Sequence, residues 1–120
     1  MLDYIEKHTT KRDRVSFALS THEFANCNEV DLYFLANRLP GTRYAEYEPN
    51  LVSRPDVQQE MIVSIEQHAV RLVVLSTLYS DYHENQPGLL RGSTLLDEYL
   101  RKRFVPVTSY GMYTILERRP

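Results

Sequence analysis

The run Val70-Arg-Leu-Val-Val-Leu-Ser76 constrains the fold more than any other stretch of this chain. It is too short for an independent helix, rich in β-branched residues, and nearly continuously apolar rather than alternating. Such a run reads as a strand covered on both faces, as in a parallel sheet. A second strand is predicted at Arg14–Ser20, where Val15, Phe17 and Leu19 alternate with small or polar residues.

The segments between and around these strands carry helical signals. Leu2 to Lys7 reads as a short helix, with Leu2 and Ile5 three apart. Asn26-Cys-Asn-Glu29 fits a helix start with Asn26 as N-cap, and the apolar block Val30 to Ala36 then predicts a mostly buried helix of about ten residues that Pro40-Gly41 ends. Thr42 to Asn50 has no clear period, and Tyr44 and Tyr47 are assigned to a short extended piece. The clearest helix begins at Ser53, with Ser53 as cap, Pro55 in the first turn and Asp56 at the positive end of the dipole. Val57, Met61 and Ile65 follow four apart on one face, and the pattern ends near His68. Tyr79 to Gly92 is polar and turn-rich. Thr94 opens the last helix, with Asp97 three residues on and Leu95, Leu96, Tyr99 and Leu100 on its buried face. Val105 to Glu117 reads as a hairpin turning at Tyr110-Gly111, with Pro106 placing its first strand at an edge.

Strands alternating with helices point to a single α/β domain over residues 1–120. The expected architecture is a three-layer sandwich, Rossmann-like, with a mostly parallel sheet and a C-terminal β-hairpin. The 120 residues are 42% hydrophobic and 25% charged, which sets the chain apart from disordered sequences. No apolar run approaches the roughly 20 residues of a spanning helix, and no basic-then-apolar start reads as a signal peptide.

The formal net charge of −2 argues against nucleic acid as a partner. The charge is unevenly placed: residues 15–100 carry 5 basic and 12 acidic side chains, whereas residues 101–120 carry five arginines or lysines against Glu117 alone. Arg101 to Arg103 and Arg118-Arg119 thus form a basic end, which either meets an acidic partner or lipid headgroups or simply closes a helix against its dipole.

In an open α/β sheet, ligands gather beyond the carboxyl ends of the strands. Candidate binding residues there are His22, Glu23 and Asn26 after the first strand, and Asp81, Tyr82, His83 and Glu84 after the second. Neither His-Glu pair has the spacing of a helical metal motif, so no metal is assigned. The loop after the first strand lacks glycine, which excludes the Gly-x-Gly-x-x-Gly and P-loop patterns, and no cofactor is expected. Cys27 is either a nucleophile near a helix start or a small buried filler. Ser20 and Ser76 end strands outside any Gly-x-Ser-x-Gly elbow, so no catalytic residue is assigned. Nine tyrosines and no tryptophan are the one compositional oddity. Tyr33 and Tyr99 fall on buried helix faces, while Tyr44, Tyr47, Tyr79 and Tyr82 are contact candidates in loops. Arg43 beside Tyr44 either holds a carboxylate or phosphate or makes a surface salt bridge.

Several stretches taken together carry a family resemblance. Asn28-Glu-Val-Asp-Leu-Tyr-Phe-Leu-Ala-Asn-Arg38 runs into Leu39-Pro-Gly-Thr-Arg-Tyr44, then Pro49-Asn-Leu-Val52 and Asp56-Val-Gln-Gln-Glu60. Val70 to Ser76, Leu95-Leu-Asp-Glu-Tyr-Leu100, Phe104-Val-Pro-Val107 and Tyr110-Gly-Met-Tyr-Thr-Ile115 complete it. Over Leu2 to Arg118 the chain resembles the soluble C-terminal domain of bacterial polytopic membrane glycosyltransferases, relatives of the dolichyl-phosphate-mannose protein mannosyltransferases and the aminoarabinose transferases. The resemblance implies a parent enzyme that moves a sugar from a polyprenyl-phosphate donor to an acceptor on the extracytoplasmic face of the membrane. It places the catalytic acid in a membrane-embedded region, which becomes this domain's expected partner together with lipid-linked sugar or acceptor. The implied role is an accessory domain that is not catalytic alone. The alternative is a freestanding small-molecule-binding or enzymatic α/β protein that uses the loops after the first two strands.

Overall fold

The computed structural model describes residues 1–25, 28–77 and 91–120 of the chain. In order they form α1 (Leu2–His8), β1 (Arg14–Leu19), α2 (Asp31–Ala36), β2 (Leu39–Pro40), α3 (Pro55–Gln67), β3 (Leu72–Ser76), α4 (Leu95–Arg103), β4 (Phe104–Tyr110) and β5 (Tyr113–Arg118). The strands make one five-stranded sheet in the order β2-β1-β3-β5-β4. β1 runs parallel to both β2 and β3, whereas β5 runs antiparallel to both β3 and β4.

The sheet is therefore mixed, not mostly parallel as its apolar strands suggested. The reason lies in the return path. α4 carries the chain back from the carboxyl end of β3, so β4 starts at the amino end and points the same way as β3, one strand further out. The two-residue turn Gly111-Met112 then sends β5 back into the slot between them. Gly111 has φ +60°, the left-handed conformation that a tight hairpin turn requires. Pro106 sits on the outer strand, where its missing N–H interrupts no central ladder, and the register slips between Pro106 and Thr108.

Because side chains alternate across a sheet, the register sorts the apolar residues into two sets. Val15, Phe17, Leu72, Val74 and Ile115 cluster with Ile5 of α1 and with Leu32 and Tyr33 of α2. Ala18, Val73 and Leu116 cluster with Val57, Met61 and Ile65 of α3 and with Leu96 and Leu100 of α4. The run in β3 is apolar throughout because each of its faces belongs to a different cluster.

Several local expectations change. Pro55 does open α3, but the N-cap is Arg54, with no side-chain cap from Ser53. Ser53 is instead buried against the chain at Gly92 and Ser93. α2 has six residues, not about ten, and buries only Leu32 and Tyr33; Phe34 is 85% exposed. So short a helix presents one turn to the sheet, and the rest of its apolar block faces outward. Leu95 is likewise exposed, because α4 turns Leu96, Asp97 and Leu100 inward. Residues 41–54 form turns and bends, and the only extended piece near them among the described residues is the two-residue β2.

Candidate functional site

The site begins with a shortage of backbone partners on β1. Residues 15, 17 and 19 direct their N–H and C=O groups toward β2, but β2 pairs only with Arg14 and Val15. Gly41 N–H extends the contact by donating to the Val15 carbonyl at 3.0 Å. Beyond that point β1 would expose buried polar groups, each worth about 1–3 kcal/mol if left unmade. Side chains supply the partners. The Phe17 N–H donates to the Tyr33 hydroxyl at 2.8 Å, and the Phe17 carbonyl accepts from Tyr33 at 3.4 Å and from Tyr47 at 3.5 Å. The Leu19 N–H donates to Nε2 of His22 at 3.1 Å.

That last bond fixes the state of His22, which has no exposed surface. An Nε2 that accepts carries no proton, so Nδ1 holds it and donates to Asp97 Oδ1 at 2.8 Å. The other Asp97 oxygen accepts the His22 backbone N–H at 3.0 Å. Gln58, also fully buried, completes the knot: its amide nitrogen reaches the carbonyls of Val52 (3.0 Å), Ser93 (2.9 Å) and His22 (3.3 Å), and its oxygen accepts the Leu96 N–H at 2.9 Å. The loop after β1, the start of α3 and the start of α4 are thereby tied at one point. Gly92 belongs to the same junction; a Cβ there would overlap the Ser53 backbone.

His22 is therefore a structural histidine with both nitrogens engaged and not a ligand-facing one. Glu23 is half-buried and pairs with the exposed Arg91 at 3.3 Å. Arg43 is a surface group whose anion comes from its own chain: it meets Glu60 at 2.9 Å and the Tyr44 hydroxyl at 3.0 Å. Hydrogen bonds from Tyr44 and then Arg43 hold the Glu60 carboxyl below the usual carboxylate range. Tyr47 is buried and leaves the set of contact candidates. Asn26, Cys27, Tyr79, Asp81, Tyr82, His83 and Glu84 lie outside the described residues. Glu29, expected as part of a helix start, instead accepts from the Tyr113 hydroxyl at 2.7 and 2.8 Å and from Ser76 at 3.2 Å.

Along the sheet face beside α4 runs a groove of about 500 Å³, within the range of small-ligand sites. Leu75, Leu116 and Pro106 of the sheet form its apolar floor, and Leu100 and Phe104 its wall. Ser20, Thr77 and Asp97 stand toward the end where β1 and β3 finish, while Arg119, whose N–H donates to the Arg103 carbonyl at 2.8 Å, stands toward the other. Arg101, one turn after Asp97 on α4, also lines it.

The basic end of the chain divides in two on folding. Arg118 is committed: its guanidinium bonds Glu66 at 2.8 Å and the Val70 carbonyl at 2.9 Å and lies over the Phe104 ring. The same Glu66 accepts the Tyr99 hydroxyl, and burial together with that bond pushes Tyr99 up to about 12. Arg101 and Arg119, in contrast, are exposed and have no side-chain partner among the described residues, although Arg43, Arg54, Arg71, Arg91 and Arg118 each reach a carboxylate. The charge count marked this basic end; the role of Asp97 left no signal in the sequence beyond its place near a helix start. No group of three His, Cys, Asp or Glu side chains among the described residues is arranged for a metal ion, and no described helix is long and apolar enough to cross a membrane. The chain matches no protein-family model, and neither the curated proteins nor the solved structures contain a significant match to it.

Proposed function

We propose that this chain is an accessory binding module of a membrane glycosyltransferase that uses a polyprenyl-phosphate-linked sugar donor. It positions donor or acceptor for a membrane-embedded transferase region on the extracytoplasmic face and does no chemistry alone. The layering fits this role: we read the mixed sheet with α1 and α2 on one face and α3 and α4 on the other as a Rossmann-like three-layer body, with the groove running along the face that α4 covers.

The observation that carries the reading is the groove beside α4, where an apolar trough adjoins two uncommitted guanidinium groups. The residues that would do acid–base work in the loop after β1 are spent elsewhere, since His22 completes the edge of β1 and Glu23 pairs with Arg91. Calorimetric titration of the purified chain with a short-chain polyprenyl-phosphate-linked hexose tests the proposal. Saturable binding without release of sugar is expected. Steady sugar release by this chain alone, or no binding, overturns it.

A further inference from the structure

Resting on the reading of this chain as a binding module, we infer that the groove beside α4 takes one monomeric amphiphilic anion, with its apolar chain on the trough and its anionic head group on Arg101 and Arg119. The apolar part follows from the floor and wall: Leu75, Pro106 and Leu116 face Leu100 and Phe104 across about 500 Å³, enough to desolvate a small ligand's tail. The anionic part follows from the charge balance. In a chain of net charge −2, five of the other nine arginines meet carboxylates, whereas the two that line this groove have no side-chain partner among the described residues. Guanidinium groups are the side chains best shaped to grip a phosphate or carboxylate.

The polarity of the groove fixes the orientation. Asp97, whose two carboxyl oxygens both accept from His22, stands at the Ser20 and Thr77 end. That end repels an anion, so the head group settles at the Arg119 end and the tail runs toward Leu75 and Thr114. A neutral apolar molecule would leave both guanidinium groups unused, and a bare inorganic anion would leave the trough wet.

Dodecyl phosphate, kept below its micelle concentration, is the probe, with dodecyl maltoside, inorganic phosphate and vesicles of phosphatidylcholine containing phosphatidic acid as comparisons. Dodecyl phosphate is expected to bind one per chain, and the exposed pair Arg101→Ala/Arg119→Ala to weaken it about tenfold or more while leaving the circular dichroism unchanged. Thr114→Trp, at a half-buried position on the trough, is expected to block the tail and reduce binding similarly. The inference fails if dodecyl maltoside or inorganic phosphate binds as tightly, or if the arginine variant keeps full affinity. It also fails if the chain sediments with the vesicles but ignores the monomer, since that assigns the arginines to a bilayer surface. Dodecyl phosphate binding that the lipid-linked sugar cannot displace would uphold this inference and remove the transferase reading. Binding of the lipid-linked sugar without dodecyl phosphate would do the reverse.

Discussion

Replacing Tyr33 with phenylalanine tests how the edge of β1 is held. The substitution removes one oxygen and keeps the ring, including its edge-to-face contact with Phe17 at 4.9 Å between centroids. What disappears is the acceptor 2.8 Å from the Phe17 N–H and the weaker donor at 3.4 Å to the Phe17 carbonyl. The carbonyl retains the Tyr47 hydroxyl at 3.5 Å, but the N–H has no substitute, and Phe17 itself is 3% exposed, so water does not reach it. A buried donor left unmade costs about 1–3 kcal/mol, so a loss of about 2 kcal/mol is expected. For a chain of 120 residues that corresponds to a fall in Tm of about 6–12 °C. Urea denaturation at constant slope and thermal melting give the two values independently, and amide exchange at Phe17 should accelerate more than at Val73, whose ladder is unaffected. Tyr33→Phe combined with Tyr47→Phe should lose more than the two singles together, because only the double variant strips the Phe17 carbonyl as well. A Tyr33→Phe protein within about 0.5 kcal/mol of the parent would refute the idea that hydroxyl groups replace the missing length of β2.

Ser16 Oγ is buried with no hydrogen-bond partner among the described residues, so Ser16→Ala should leave stability unchanged or raise it by up to about 1 kcal/mol; a loss in urea midpoint would show an unseen partner. Asp97→Asn turns an N–H toward one of the two donors that the carboxylate accepts, at 2.8 and 3.0 Å from His22, and should destabilise by about 2–3 kcal/mol; an unchanged midpoint would dissolve the proposed knot. Gly111→Ala meets no atom within 4 Å but must hold φ +60°, so a loss of about 1 kcal/mol is expected from backbone strain alone. Among the described residues five tyrosines ionise later in the fold than in the free chain: Tyr4 is raised to about 12 by its bond to Glu117, Tyr99 to about 12 by burial, Tyr44 by its bond to Glu60, and burial raises Tyr33 and Tyr47 as well. Since the folded state favours the neutral phenol, their contribution is complete below pH 10 and is lost as pH climbs from 10 through 12. Tyrosinate absorbance should therefore rise together with loss of the circular-dichroism signal, and early ionisation of all nine without unfolding would contradict it.

Much of the local structure was legible in the chain because periodicity and punctuation act over a few residues. Pro55 with Val57, Met61 and Ile65 defined α3, and the unbroken apolar run announced that β3 would be covered twice. Pro106 and Gly111 located an edge strand and its turn. The insertion of β5 between β3 and β4 was not legible, since an apolar strand reads the same whichever way its neighbour runs. Nor was the employment of His22, Tyr33 and Tyr47. A histidine after a strand suggests chemistry, and tyrosines suggest contact, until one sees that β2 stops after two residues and leaves Phe17 and Leu19 without backbone partners. The sequence by itself determined which segments bury apolar surface, because that depends on spacing along the chain. Only the tertiary structure decided which polar groups were spent on the fold and which, like Arg101 and Arg119, were left over, because a hydrogen bond between residues 75 apart, as between His22 and Asp97, exists only once the strands have taken their order.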